Sequence, residues 1–287
     1  MRRRTRRALA VGLALLAAPA SGATFLGSHT WSPEIAGAGG YSALWLDPAG
    51  TEAVVLSDRG RWVRAKLERG AEGAVSDVTV TAHGPLLRSD GVVLTGNQAD
   101  AEAIAFADGA FFVAYEGVHR IMRHDDIAAA PKRMAQAPAF ARLQENSGLE
   151  ALAADGEGRL HAIAERSGAL DRPFPVWRFE DGVWTQPFGL RRDGPWLVSG
   201  ADIGPDGRLY LLERDFSLLG FRTRVRSFDL AGGDERLVLE TASGTHDNLE
   251  GIAVWRDAAG RLRLTMVSDD NQQRFLQRTE FVDYAID

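Results

Sequence analysis

Residues 248–270 read NLEGIAVWRDAAGRLRLTMVSDD. Glu250 stands near the start, and an apolar run follows (Ile252, Ala253, Val254, Trp255). The chain turns through Asp257-Ala258-Ala259-Gly260 and returns through Leu262, Leu264, Met266 and Val267 to Asp269 and Asp270. An Asp at the head of the turn offers an acceptor to the turn amides, and a Gly at its end takes positive φ without penalty. Two apolar runs around such a loop predict a β-hairpin with acid at both open ends.

The same pattern recurs. Residues 42–60 read SALWLDPAGTEAVVLSDRG, 101–117 AEAIAFADGAFFVAYEG, 149–166 LEALAADGEGRLHAIAER and 201–215 ADIGPDGRLYLLERD. Five copies spaced roughly 47 to 60 residues apart match the period of a propeller blade. Between them lie more polar segments that alternate as exposed strands do, among them a hairpin over 175–188 turning at Asp181-Gly182. The last copy is followed by one strand only, over 275–286, whereas the chain begins with a spare strand over 24–33. Pairing these two ends closes an all-β propeller of four-stranded blades and removes exposed sheet edges. Five blades are favoured; a sixth has room between Gly60 and Asp100 or in the alanine-rich insert around residue 130. A solenoid would call for shorter periods and atypical capping repeats.

Working outward to the N-terminus, residues 1–23 combine a basic start (Arg2, Arg3, Arg4, Arg6, Arg7), a short apolar run and Ser21-Gly22-Ala23. That is the form of a cleaved signal peptide, with a twin-arginine variant open. It predicts a periplasmic or secreted protein whose single domain spans 24–287. Without the leader, 33 basic and 39 acidic residues become 28 and 39, a net charge of −11. Nucleic acid is then a poor partner, and no other run is long and apolar enough for membrane insertion. The absence of cysteine means an exported fold held by burial and closure, not by disulfides.

In a propeller hairpin the start of the first strand and the end of the second share one rim. First-strand starts carry Ser42, Glu102, Glu150, Ala201 beside Asp202, and Glu250; second-strand ends carry Asp58, Glu116, Glu165, Glu213 and Asp269. Arg59, Arg166 and Arg214 directly follow three of these acids, so ordinary ion pairs account for Asp58, Glu165 and Glu213. Glu102, Glu150 and Glu250 have no basic neighbour in sequence. Two carboxylates about 5 Å apart repel by roughly 3 kcal/mol at an effective dielectric near 20, so convergence demands a cation or protonation. With Asn146, Asn248 and Asn271 nearby and no cysteine, the donors suit calcium. The expected ligands are Glu102, Glu150 and Glu250, with Asp58 and Asp269 beside them. His246 is a candidate acid or base, although a lone loop histidine more often serves as a hydrogen-bonding residue. The other histidines show no zinc-ligand spacing, and no G-x-S-x-G elbow is present.

The phrases LSDRG (56–60), AEAI (101–104), GLEAL (148–152), ERDF (213–216), NLEG (248–251) and VSDDN (267–271) resemble the exported bacterial family called esterase-like activity of phytase. The resemblance implies a propeller-like fold and hydrolysis of ester or phosphate-ester bonds. The chain is more loosely similar to calcium-dependent propeller lactonases and phytases, in which carboxylates at the channel mouth hold the metal. With only Lys66 and Lys132, it lacks a match to the substrate-binding lysines of those phytases. Two functions follow. One is a monomeric calcium-dependent hydrolase of small anionic or ester substrates, with Arg59, Arg166 or Arg214 orienting the anion. The alternative is a binding or scaffold propeller with a structural calcium.

Overall fold

The computed structural model describes residues 22–144, 147–270 and 277–286. The expected signal peptide up to residue 21, together with Asn146, Asn271 and Phe275, lies outside the described residues. The chain opens with β1 (Ala23–Thr30). The first blade is β2 (Tyr41–Leu46), β3 (Glu52–Ser57), β4 (Arg61–Arg69) and β5 (Val75–Pro85). The second is β6 (Ala101–Ala107), β7 (Ala110–Tyr115), β8 (Arg120–His124) and β9 (Lys132–Arg133), and the third β10 (Leu149–Ala154), β11 (Leu160–Ala164), β12 (Phe174–Glu180) and β13 (Val183–Leu190). The fourth is β14 (Leu197–Ile203), β15 (Leu209–Ser217), β16 (Gly220–Phe228) and β17 (Arg236–Glu240). β18 (Asn248–Arg256), β19 (Leu262–Asp269) and β20 (Glu280–Ile286) form three strands of the fifth.

The spare N-terminal strand supplies the fourth. β1 runs antiparallel to β20, from Ala23 opposite Ile286 to Thr30 opposite Glu280, giving the order β1-β20-β19-β18. There is no sixth blade among the described residues. Residues 61–85 are the outer strands of the first blade, and the insert near residue 130 contributes only the two-residue β9. The turn chemistry is as the sequence implies: Asp257 Oδ1 accepts from the amides of Ala259 (2.9 Å) and Arg261 (3.0 Å), and Gly260 has φ +79°.

The inner strands β2, β6, β10, β14 and β18 pack in a closed ring, each on the next and β18 on β2. Crowding at the axis selects small residues. Ala43, Ala103, Ala151, Gly200 and Gly251 occupy equivalent places, one residue past a register shift common to all five inner hairpins. A Cβ on Gly200 would lie 2.4 Å from the Glu250 carbonyl oxygen, so this glycine answers to close approach of the next blade. Every interface between blades carries its own apolar core. Leu56, Leu86 and Ile104 join the first and second blades; Trp31, Tyr41, Trp255 and Phe281 join the fifth and first. The remaining three interfaces are filled in the same way.

Because Trp31 follows β1 and stacks on Tyr41 (ring centroids 4.8 Å apart), the N-terminal segment closes both the last blade and its core. A variant beginning at Ser42 is expected to lose cooperative melting or to melt far below the protein that retains β1, and Trp31→Ala alone to cost about 3–5 kcal/mol. Thermal melts of both variants test this; an unchanged melting temperature for the Ser42 start would refute closure by the chain ends.

Candidate functional site

The register shift noted above is a β-bulge, and it builds the site. In each inner hairpin one residue near the start of the inner strand has no partner opposite it: Ser42, Glu102, Glu150, Ser199 and Glu250. A bulge re-aims the side chain it carries, and here it does so at one rim of the ring. The two serines tie neighbouring blades together: Ser42 Oγ donates to the Ala101 carbonyl (2.5 Å) and Ser199 Oγ to the Leu249 carbonyl (3.0 Å). The three glutamates remain to face one another.

Beside this ring stands a second. Gly40, Asp100, Gly148, Leu197 and Asn248 lie opposite Asp58, Glu116, Glu165, Arg214 and Asp269. Two positions differ from the sequence reading. In the fourth blade the bulge falls on Ser199 and not near Ala201 or Asp202, and the rim position falls on Arg214 and not on Glu213. Glu213 sits one residue lower, wholly buried, where Arg224 and Arg226 each grip both of its carboxylate oxygens at 2.7–3.0 Å. It is a structural anchor inside the blade.

Arg214 thereby becomes the counter-charge that Glu150 and Glu250 lacked in sequence. It donates to Asn248 Oδ1 (2.9 Å), Glu165 Oε1 (3.3 Å) and Glu250 Oε1. Carboxylates around it raise its already high proton affinity, although burial opposes them. Burial nonetheless holds Glu250 above the ordinary carboxylate range, with Arg214 pulling the other way. Glu150 is pushed well up by burial and by Glu116 and Glu165 nearby, against the pull of Arg214.

Among the described residues, no arginine is hydrogen-bonded to the carboxylates on the other side of the mouth. Asp100, Glu102 and Glu116 bring one carboxylate oxygen each within 4.8 Å of one another, and all three are partly buried. Burial and the charges of Glu150, Glu250 and Asp100 push Glu102 well above its usual value. Glu116 is raised by burial, while it accepts the Gly148 amide (2.7 Å). Gly148 leaves room for this contact: a Cβ there would lie 2.3 Å from His119 Nδ1, a buried nitrogen with no partner among the described residues. Asp58 is lifted to about 6, mainly by burial and further by Asp100 and Glu250, with Ser57 and Arg59 opposing. The donor set is all carboxylate oxygen, short of positive charge and retentive of protons. Such a set fits a hard cation of the calcium type, which takes six to eight oxygens and leaves several places for water or substrate.

Of the expected ligands, Glu102 alone belongs to this compact trio. Glu150 and Glu250 lie toward Arg214, Asp58 stands between Asp100 and Arg59, and Asp269 faces Asn248 across the fifth hairpin. Asp100 was missed because it precedes the repeated phrase, yet it occupies the place of Asn248 in NLEG, two residues before the bulge. Arg59 and Arg166 are half exposed on the rim, next to Asp58 (4.0 Å) and Glu165 (2.9 Å). His246 lies farther out, its Nε2 2.6 Å from Tyr284 Oη and its ring packed on Phe25 and Tyr284. Burial lowers its pKa.

The chain belongs to the phytase-like family described as esterase-like activity of phytase, whose pattern matches residues 36–272. No curated protein matches it. Among solved structures it is similar to an α-L-arabinofuranosidase from Podospora anserina solved with cellotriose, at 12% identity and TM-score 0.54, covering 88% of this chain and 93% of that one. A protein of unknown function from Dyadobacter fermentans aligns at 15% identity and TM-score 0.45, over 85% and 76% of the two chains. At 12% identity the likeness to the arabinofuranosidase is one of fold.

The two classes of buried glutamate have opposite effects on stability. The folded chain keeps protons on Glu102 and Glu150 that the unfolded chain releases above the ordinary value of 4.5. In calcium-free buffer this contribution is full below 4.5 and is lost as pH rises through the raised values. Glu102→Gln is therefore expected to melt above the wild type at pH 8, by about 2–4 °C per kcal/mol of repulsion relieved, and to match it near pH 4. Glu213→Gln, which strands two buried arginines, is expected to cost about 3–5 kcal/mol. Melting curves of both variants at several pH values decide the matter; a destabilised Glu102→Gln at pH 8 contradicts the uncompensated charge.

Proposed function

We propose that the chain hydrolyses phosphate or carboxylate esters at this rim, with a calcium ion held by Asp100, Glu102 and Glu116. The observation that carries the reading is the gathering of three carboxylates on the side of the mouth that Arg214 does not neutralise. When bound, such a cation supplies charge to offset an anionic ester and eases deprotonation of water beside it.

The chain's own groups account for the rest. Arg59 and Arg166, exposed at the rim, are placed to receive the anionic oxygens of a substrate entering along the axis. Asp58, with a pKa near 6, populates both protonation states close to neutrality, as a general acid or base requires. Arg214 holds Glu150, Glu165 and Glu250 as a fixed wall and is not free to leave them. His246 already contacts Tyr284, so we assign it to the wall of the adjoining cleft. A purely structural role for the rim has support on the Arg214 side only, where the carboxylates have an internal counter-charge.

A panel of aryl carboxylate esters and phosphomonoesters, assayed with calcium and with a chelator, tests the proposal. Turnover is expected with calcium and not with chelator. Glu116→Gln is expected to lower kcat/KM by about a hundredfold or more, the scale of losing one electrostatic element of a catalytic site. Arg59→Ala is expected to raise KM more for phosphate than for carboxylate esters. Calcium-independent melting together with no turnover on either ester class would leave a binding propeller as the reading.

A further inference from the structure

The end of the ring axis opposite the acidic rim is apolar. Three residues beyond Ala43, Ala103, Ala151, Gly200 and Gly251, the inner strands carry Leu46, Phe106, Ala154, Ile203 and Val254. All five line one cavity of about 490 Å³. Every blade contributes the equivalent position, so the cavity sits on the axis. Each of these residues lies four places after the bulged Ser42, Glu102, Glu150, Ser199 or Glu250, which puts about 13 Å of strand between the two rings. Leu44, Ile104 and Ile252, two residues nearer the acidic mouth and buried, also line the cavity and stand between it and the carboxylates. Phe106, 40% exposed and packed on Trp45 with ring centroids 5.2 Å apart, marks the open side.

One carboxylate interrupts this apolar wall. Asp202 lines the cavity at the joint of the fourth and fifth blades, where Oδ1 accepts the Ile203 amide (2.8 Å) and Oδ2 the Val254 amide (2.7 Å). Each oxygen keeps a further lone pair. Among the described residues no cation pairs with it; burial lifts its pKa to about 7, with the two amides opposing. The ring does not demand an acid here, since the equivalent places hold Trp45, Ala105, Ala153 and Ala253. The other charged groups lining the cavity are already engaged. Asp47 Oδ1 accepts the amides of Thr51 (2.7 Å) and Glu52 (2.8 Å), and Arg256 Nη1 donates to the Gly260 carbonyl (2.8 Å).

We propose that this cavity is a second binding site, separate from the acidic mouth, for a small primary amine with an aromatic or alkyl body. The ammonium group donates to Asp202, and the body lies among Leu46, Ile104, Phe106, Ile252 and Val254. The volume falls within the range of about 300–1,000 Å³ usual for small-molecule sites, which are mostly apolar with a few placed polar groups. An ammonium gives the carboxylate the counter-charge that the chain withholds, through charge-assisted hydrogen bonds. A purely apolar ligand would cover the carboxylate without pairing it, and an anionic one would meet it with repulsion, so both are disfavoured. The site does not depend on the ester-hydrolase reading.

The probes are 2-phenylethylamine, 2-phenylethanol and phenylacetate, which share a body and differ in charge, titrated calorimetrically at pH 8, where Asp202 is mostly ionised. The amine is expected to bind about tenfold more tightly than the alcohol, the difference between a charge-assisted and a neutral hydrogen bond, and phenylacetate most weakly. Asp202→Asn is expected to bring the amine down to the alcohol. Ala154→Leu and, on the next blade, Ile203→Phe add side-chain volume inside the cavity; each is expected to abolish binding of amine and alcohol alike, with a melting curve to show that the variant is folded. Glu102→Gln, which changes the charge of the mouth, is expected to leave all three affinities unaltered. Equal affinities for amine and alcohol, tightest binding of phenylacetate, or no binding at millimolar concentration overturns the site. So does amine binding that survives a folded filling variant, or that is lost in Glu102→Gln, which assigns the amine to the acidic mouth.

Discussion

Convergence of like charge on the ring axis is the constraint around which this molecule is arranged. Five inner strands meet at the axis, and at one rim their bulged positions and neighbouring strand ends carry Glu102, Glu150, Glu250, Asp58, Glu116, Glu165 and Asp269. Carboxylates at such separations repel by kilocalories. The fold meets that cost unevenly: Arg214 neutralises one side of the mouth, whereas on the other burial and neighbouring carboxylates hold Glu102 well above its usual range. A structure that tolerates uncompensated carboxylates at one place, having solved the same problem by ion pairing a few residues away, has the character of a site and not of an accident of packing.

Such repulsion is sustainable only on a frame that does not yield. The frame comes from closure and from five separate inter-blade cores. β1 on β20 removes the free edge, and Trp31 on Tyr41 locks the joint between the last and first blades. Small residues at Ala43, Ala103, Ala151, Gly200 and Gly251 let the strands approach the axis closely enough for the rim groups to meet. The Ser42 and Ser199 hydroxyls, each bound to the next blade's carbonyl, fix the spacing between blades at the same level. Stability and site geometry therefore depend on the same contacts.

The fourth blade breaks the pseudo-symmetry, and the break gives the mouth a direction. It carries serine where three blades carry glutamate, arginine where the other four carry an acid, and a hairpin that rises past the rim. One side of the mouth thus gathers Asp100, Glu102 and Glu116, and on the other Arg214 meets Glu165 and Glu250.

The sequence by itself determined the architecture. Repetition of an apolar hairpin bounded by acid, with Asp and Gly at its turn, is local information, and the spare N-terminal strand is countable in the sequence. It also placed Glu102, Glu150 and Glu250 at equivalent positions, because a repeat transmits equivalence. It left the fourth blade misaligned by two residues at the bulge, Ala201 for Ser199, and by one at the rim, Glu213 for Arg214. Asp202 and Glu213 are acids in the right neighbourhood, and nothing local distinguishes a carboxylate facing the axis from one gripped by Arg224 and Arg226. Only the tertiary structure decided which charges meet. A one-residue change of register moves a side chain to the other face of its strand, and the partners that then fix its role, Arg214 for Glu250 and Asp100 with Glu116 for Glu102, come from different blades or strands brought together by the closed ring.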